Sequence, residues 1–233
     1  MIGWPRAHWR VTDSTNERAK ALAATGAPHG TLVTADEQTA GRGRQGRTWT
    51  APARSSVLMS VLLRGLDERH SLLPIAVALA VCEACEREGG VTQGCEIKWP
   101  NDVWIDGRKV AGILIEGRPQ DGWAVVGIGL NVDIAEEDFP EELREAATSL
   151  RIASGSADPA GMTEALVSHL DERLGQGAAE LLADYRRRDA LRGKPVRWKD
   201  GEGTAAGIDD SGALMVDTAN GRTALNAGEV HLL

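Results

Sequence analysis

A glycine- and arginine-rich segment between two apolar runs constrains most strongly how this chain can fold. Its centre reads Gln38-Thr39-Ala40-Gly41-Arg42-Gly43-Arg44-Gln45-Gly46-Arg47-Thr48-Trp49. The runs at 31–35 and 56–63 have the length and composition of buried strands. Residues 48–54 include Pro52 and leave no room for a helix before the second run. We therefore predict a long loop between two strands.

The composition of this loop indicates a site for an anion. Glycine lets the backbone approach a ligand closely, and arginine carries a planar, permanently charged group that grips carboxylate or phosphate. The whole chain, by contrast, has 26 basic and 34 acidic residues and a net charge of -8. A general nucleic-acid or anionic-membrane binder is therefore disfavoured. A cationic loop in an acidic protein predicts a small anionic ligand or a charged transition state.

Two other phosphate-binding loops can be set aside. Residues 41–46 formally match the G-x-G-x-x-G pattern of dinucleotide sites. That pattern requires a helix directly after the last glycine, and none is predicted here. No G-x-x-x-x-G-K-[ST] sequence occurs either. The sequence therefore argues against an oxidoreductase of the dinucleotide-binding type and against a P-loop nucleotidase.

Length and composition predict a cytoplasmic globular protein. The chain has 233 residues, of which 42% are hydrophobic. Its longest apolar run, 72–82, is too short to span a bilayer, and the N-terminus lacks the order of a signal peptide, so we expect no membrane association. Cys82 and Cys85 lie within an apolar helical run, with only Cys95 besides, and are interpreted as reduced core thiols.

Local patterns predict the order of elements up to residue 190. A helix is expected to begin at Ser14, which has capping-box spacing with Glu17, and to end at Thr25. A second, largely buried helix covers 71–88. The remaining predictions are a strand ending at 97–99, a hairpin of strands 103–105 and 110–116 turning at Asp106-Gly107, a strand at 123–128, a short acidic helix at 141–147, and a long helical stretch at 162–188 with a weak point near Gly175 and Gly177.

The character of the sequence changes near residue 190. From residue 193 onward, short β-like runs alternate with turn sequences at the spacing of a small β-barrel. We therefore predict two domains, at 1–190 and 191–233.

Five motifs, taken in order, resemble those of the biotin protein ligases. They are Ser14-Thr15-Asn16, the segment 38–49, Lys98-Trp99-Pro100-Asn101-Asp102, Lys109-Val110-Ala111-Gly112-Ile113-Leu114 and Gly127-Ile128-Gly129-Leu130-Asn131. The resemblance implies an α/β (α+β) catalytic domain with a mixed sheet, related to class II aminoacyl-tRNA synthetases. It also implies that residues 191–233 form a small SH3-like β-barrel domain.

The resemblance implies a two-step reaction. The biotin carboxylate attacks the α-phosphorus of ATP, with Mg²⁺, to give biotinyl-5′-AMP and pyrophosphate. A lysine of a biotin carboxyl carrier protein domain, which belongs to a biotin-dependent carboxylase, then displaces AMP. The residue chemistry agrees, because a carboxylate nucleophile needs no general base, whereas the charge gathering on phosphate oxygens needs cations.

Roles carry over from the family's motifs to individual residues. The implied catalytic residues are Lys109, Arg42 and Arg44. The implied biotin-binding residues are Ser14, Thr15, Asn16, Gln38, Gly41, Arg42, Gly43, Arg44, Lys109 and Gly112. The implied ATP-binding residues are Arg47, Trp49, Lys98, Asn101 and Asn131. Asp102 is the candidate for Mg²⁺, although Asn101 and Asp102 are equally explained as residues that close a turn.

Two alternative functions and one expectation about DNA binding accompany the resemblance. Lipoate or octanoate ligases and transferases share the fold but lack the Gly-Arg-Gly-Arg and Lys-Trp-Pro-Asn-Asp patterns. A non-catalytic biotin-binding module would have no need for a set of phosphate-holding cations. Many bacterial relatives carry a DNA-binding domain before the catalytic part; Ser14 lies too close to Met1 for one, so we expect no DNA binding. The sequence leaves open the identity of the carrier and whether the protein forms a homodimer.

Overall fold

A seven-stranded mixed sheet forms the frame of the protein. The computed structural model describes residues 1–66, 71–118 and 122–233. The strands are β1 (Arg6–Trp9), β2 (Leu32–Ala35), β3 (Ser56–Arg64), β4 (Glu96–Lys98), β5 (Asp102–Ile105), β6 (Arg108–Arg118) and β7 (Trp123–Asn131), in the spatial order β1-β2-β3-β7-β6-β5-β4. β1 and β2 are parallel, and the other neighbours are antiparallel. The predicted mixed sheet is confirmed.

Helices cover both faces of this sheet. They are α1 (Thr15–Ala24), α2 (Leu73–Arg87), α3 (Leu150–Ser154), α4 (Pro159–Leu174) and α5 (Ala178–Arg188). Met59 and Val61 of β3 belong to the core shared with α2 and α4, whereas Leu62 packs with α1 on the other face. A strand that is buried on both faces has a nearly continuous run of apolar residues, which explains the sequence of β3. In the described part of the chain, no helix is both long and apolar enough to cross a bilayer.

The start of α1 was predicted correctly, but the capping interaction was not. Ser14 has the extended backbone of an N-cap residue, with φ -156° and ψ 136°, yet its side chain makes no capping hydrogen bond. The N–H of Thr15 donates instead to Gln38 Oε1 at 2.7 Å. Glu17 pairs with Lys20 and Arg42 rather than turning back to the helix start. The capping-box interpretation is wrong because Asp13 accepts from the Ser14 N–H, Gln38 accepts from the Thr15 N–H, and Glu17 faces cations instead.

The hairpin prediction is confirmed, and the nearby helix prediction is not. Asp106 and Gly107 have φ values of 50° and 75°, as a tight turn between β5 and β6 requires. Residues 141–147, expected to be a helix, form only one 3₁₀ turn at Glu141–Leu143. The chain then runs beside Lys109, whose N–H donates to Ala146 O at 2.8 Å. This backbone pairing competes with a further helical turn.

The C-terminal part forms a five-stranded antiparallel sheet. Its strands are β8 (Pro195–Trp198), β9 (Gly201–Ile208), β10 (Leu214–Thr218), β11 (Gly221–Leu225) and β12 (His231–Leu232), in the order β11-β10-β9-β8-β12. Within residues 193–233, all of which are described, β11 and β12 do not pair, so the sheet is open rather than a closed barrel. Val196 and Leu214 belong to the same buried cluster as α2. The division at 190/191 stays a prediction.

Candidate active site

A cleft of about 360 Å³ gathers most of the predicted site residues. Its walls are residues 42–50, the cleft-facing parts of β4 to β7, the segment 139–147 and residues 228–230. The predicted residues that line it are Arg42, Gly43, Arg44, Arg47, Trp49, Lys98, Asn101, Asp102, Lys109, Gly112 and Asn131. Motifs that are far apart in the sequence therefore meet at one place.

The indole of Trp49 packs on β6 and β7, where two glycines make room for it. A Cβ atom on Gly129 would lie 2.5 Å from Trp49 Cε2, and one on Gly112 would lie 2.9 Å from Cζ3. The ring also has a cationic neighbour, with Lys109 Nζ 5.6 Å from the ring centroid. Trp49 Nε1 is buried and has no hydrogen-bond partner within residues 1–66, 71–118 and 122–233. Gly129, which our site predictions omitted, thus fixes the position of the indole.

Two lysines enter the cleft from β4 and β6, the strands on either side of β5. Lys109 Nζ lies 2.7 Å from Asp102 Oδ1, and Lys98 Nζ lies 5.1 Å from the Trp104 ring centroid. Burial lowers the pKa of Lys98, and the charge of Asp102 only partly opposes this effect. Both lysines stand on strands, so their positions are set by the sheet rather than by the loop.

The C-terminal part closes one side of the cleft. Arg44 donates to the carbonyl oxygen of Gly228 at 3.2 Å, and Arg47 forms an ion pair with Glu229. Burial lowers the pKa of Arg44, although guanidinium remains charged at neutral pH. Gly228 and Glu229 were missed by sequence reasoning, since nothing in the local sequence indicates that this tail reaches the loop.

Beside the cleft, Thr15, Asn16 and Gln38 form a polar network around the start of α1, and Gly41 lies close to it, since a Cβ there would be 2.9 Å from Gln38 Nε2. Gln38 Oε1 accepts from the N–H and the hydroxyl of Thr15, at 2.7 and 3.1 Å. Ser60 Oγ lies 2.8 Å from Thr15 Oγ1 and 2.6 Å from Asn16 Oδ1. Ser14, Thr15 and Asn16 are all buried. Ser60 was also missed; its signal was a single polar residue inside the apolar run of β3.

Comparison with known proteins agrees with this geometry. Residues 9–133 match the biotin/lipoate A/B protein ligase family, and residues 193–233 match the biotin protein ligase C-terminal domain. A biotin--[acetyl-CoA-carboxylase] ligase of Mycobacterium tuberculosis is 38% identical, over 94% of this chain and 85% of the relative. The chain belongs to the biotin protein ligase family. The bifunctional ligase/repressor BirA of Bacillus subtilis is 35% identical to this family member, over 95% of this chain and 72% of the relative.

A solved biotin protein ligase has the same fold. The enzyme from Aquifex aeolicus, in complex with biotin and ATP, aligns with a TM-score of 0.86 and 29% identity. The alignment covers 99% of each chain. The α/β architecture implied by the resemblance is therefore confirmed for this ligase, together with a C-terminal antiparallel sheet that is not a closed barrel.

The cleft of this ligase fits magnesium only as an ion shared with a nucleotide. Among the described residues, no group of three or more acidic, histidine or cysteine side chains is arranged to hold a metal ion. The carboxylates that line the cleft are Asp102 and Glu229, and each faces a cation. Mg²⁺ usually takes one or two carboxylates together with phosphate oxygens. Asp102 would supply the protein's ligand, and this role stays a prediction.

The two predicted asparagines use their amides to hold the walls of the ligase's cleft. Asn131 Nδ2 donates to Thr148 O at 3.0 Å, and Asn101 Nδ2 donates to Ile113 O at 2.9 Å. These bonds fix the segment after residue 147 and the turn before β5. Each amide keeps its oxygen and a second N–H for a contact with a nucleotide.

Proposed function

We propose that this protein activates biotin with ATP and transfers the biotinyl group to a lysine of a biotin carboxyl carrier protein domain. A carboxylate oxygen of biotin bonds to the α-phosphorus, and pyrophosphate leaves. The lysine nitrogen then bonds to the acyl carbon and loses a proton as AMP leaves. The observation that carries the proposal is the cleft itself, where five cationic side chains surround a space beside a neutral polar network: Arg42, Arg44, Arg47, Lys98 and Lys109.

The two halves of the site suit the two substrates. The network of Thr15, Asn16 and Gln38 offers matched donors and acceptors to the neutral ureido group of biotin. Lys109 and Arg44 would hold the acyl-phosphate oxygens as charge develops there. Arg47, Lys98 and Trp49 would contact the nucleotide, the tryptophan through its apolar ring. Because residues 228–230 line the same cleft, the C-terminal part contributes to nucleotide binding in this assignment.

Mass spectrometry of the acyl-AMP product tests this function. The purified protein is mixed with ATP and Mg²⁺, in parallel with biotin and with lipoate. We expect biotinyl-5′-AMP alone, because the C-terminal match is to a biotin protein ligase domain. Lipoyl-AMP alone would identify a lipoate ligase, and neither product would indicate a binding module. Adding carrier domains from different carboxylases then identifies the acceptor.

We propose that the protein does not bind DNA specifically. The net charge of -8 opposes the phosphate contacts that such binding requires. A gel shift of specific duplex, reduced by added salt, would contradict this proposal.

The oligomeric state is tested separately, because sedimentation of the purified protein distinguishes a monomer from a homodimer.

Replacing Ser60 with alanine is expected to weaken biotin binding about 5- to 30-fold. The change leaves the buried Asn16 Oδ1 and Thr15 Oγ1 without the hydroxyl 2.6 and 2.8 Å away. Loss of a partner from a buried polar group costs about 1–2 kcal/mol. Isothermal titration calorimetry with biotin measures the effect. Ser211 is an exposed serine of the C-terminal part, so Ser211→Ala is the matched control. Equal affinities of the two variants for biotin would contradict the assignment of Ser60 to the biotin-binding network.

ATP binding is expected to weaken at alkaline pH because of Lys98. Its lowered pKa means that the ammonium loses its proton at a lower pH than an ordinary lysine, so the phosphate-binding charge disappears as pH rises. The Lys98→Arg variant keeps its charge throughout. The KM for ATP should therefore begin to rise at a lower pH in the unchanged protein than in the variant. Superimposable pH profiles would exclude Lys98 as a nucleotide contact.

A further inference from the structure

A four-residue ionic cluster joins the start of the loop to α1 and β6. It consists of Glu17 and Lys20 on α1, Arg42 in the loop and Glu116 on β6. Lys20 Nζ lies 2.7 Å from Glu17 Oε1 and 3.1 Å from Glu116 Oε1. Arg42 pairs with Glu17, and its Nη1 lies 3.5 Å from Glu116 Oε1. Two carboxylates thus balance two cations beside the cleft.

Glu116 also contacts the polar network. Its second oxygen, Oε2, accepts from Asn16 Nδ2 at 2.9 Å. An amide that donates to a carboxylate has only one orientation, so Asn16 Oδ1 must face Ser60, which lies 2.6 Å away. The amide has little room to turn, since a Cβ on Gly127 would lie 2.2 Å from Asn16 Oδ1. One carboxylate therefore contacts both an assigned biotin-binding residue and the loop.

The alternation of β6 explains this placement. Ile113 and Ile115 pack into the core under α2, whereas Gly112, Leu114 and Glu116 occupy the other face. Gly112 and Leu114 line the cleft. Glu116 is two residues beyond Leu114 and therefore lies on the same face of β6. The side chain of Glu116 is 21% exposed, against 47% for Arg42. Glu116 is thus the less exposed partner of this pair, and it lies on a strand that is paired to β7.

We propose that Glu116 is a positioning residue that couples biotin recognition to the placement of the loop. It fixes the orientation of the Asn16 amide through Oε2 and holds Arg42 and Lys20 through Oε1. When the charge of Glu116 is removed, Glu17 alone faces the two cations, and the first arginine of the loop loses its contact with the sheet. This inference rests on the proposed function, because it assigns Asn16 to biotin.

The Glu116→Gln variant tests the coupling. The change preserves size but removes the charge, and we expect the KM for biotin to rise about tenfold, as for loss of a hydrogen bond to a charged group. The KM for ATP at saturating biotin should change less than about twofold. The KM for biotin should also rise with salt in the unchanged protein and much less in the variant, because an exposed ion pair is screened. A purely structural role would raise both KM values together.

Two further variants complete the design. Glu164 forms an exposed ion pair with Arg6 away from the cleft, so Glu164→Gln is the matched control and should leave both KM values unchanged. If Glu116 acts through Arg42, the double variant Glu116→Gln/Arg42→Gln should be little worse than Arg42→Gln alone. If Glu116→Gln does not fold, Arg42→Lys should retain much of the biotin affinity that Arg42→Gln loses.

The outcomes separate the inference from the function on which it rests. If the unchanged protein forms no biotinyl-AMP, the proposed function fails. If it does, and Glu116→Gln leaves the KM for biotin and its salt dependence unchanged, the coupling is overturned. The coupling is also overturned if the effects of Glu116→Gln and Arg42→Gln simply multiply in the double variant.

Discussion

Replacing Lys109 with alanine is expected to lower the rate of biotinyl-AMP formation by about 100- to 1000-fold, the usual effect of removing one donor that stabilises a developing anion. Lys109 stands on β6, and its Nζ is held 2.7 Å from Asp102 and 5.6 Å from the centre of the Trp49 ring. Such a preplaced charge needs little reorganisation as negative charge develops on the acyl-phosphate oxygens. Pyrophosphate release under single-turnover conditions measures the rate.

The control for Lys109 is an exposed lysine outside the cleft. Lys199 lies in the turn between β8 and β9, so Lys199→Ala should leave the rate unchanged. The Asp102→Ala variant isolates the ion pair, because it leaves Lys109 in place without its partner. A Lys109→Ala protein that remains folded and forms the adenylate at the normal rate would remove Lys109 from the catalytic assignment.

Replacing Gly129 with alanine is expected to raise the KM for ATP about tenfold or more, although no functional group is removed. The new methyl carbon would lie 2.5 Å from Trp49 Cε2 and 2.8 Å from Cζ2. The strand cannot move away, because β7 is paired to β3 on one side and to β6 on the other. The indole must therefore leave its place. Overpacking of this kind costs about 1–3 kcal/mol, and about 1.4 kcal/mol corresponds to a factor of ten.

The C-terminal sheet offers a matched control for the glycine substitution. A Cβ on Gly201 would lie 2.8 Å from the ring of Trp198, which does not line the cleft. Gly201→Ala should therefore lower the melting temperature without changing the KM for ATP. In addition, Gly129→Ala should have no further effect once Trp49 has been replaced by alanine, because the clash is then absent. A further rise of the KM for ATP in that double variant would contradict the explanation.

Local chemistry in the sequence accounts for much of the fold. The turn at Asp106-Gly107 was predictable because both residues tolerate positive φ, and the flanking strands followed from their apolar runs. The break between α4 and α5 was predictable from Gly175 and Gly177, which weaken a helix. In these cases the residues that decide the structure are neighbours in the chain.

Predictions failed where a distant partner replaced a local one. Ser14 and Glu17 have the spacing of a capping box, but Gln38 caps Thr15 and Arg42 pairs with Glu17. The acidic stretch at 141–147 was expected to be helical, yet its end pairs with the backbone of Lys109. A local pattern gives only a preference of about 1 kcal/mol, which tertiary hydrogen bonds readily outweigh.

The sequence by itself determined the chemical character of the site. Residue types and their order along the chain were enough to predict the cations of the loop, the lysines at 98 and 109 and the polar triplet at the start of α1. The tertiary structure alone decided their contacts: Gly129 beneath Trp49, Ser60 beside Asn16, Glu229 against Arg47 and Glu116 between Asn16 and Arg42. The physical reason is that a side chain's chemistry is carried by its own atoms, whereas its neighbours are set by how strands and helices distant in the sequence pack together.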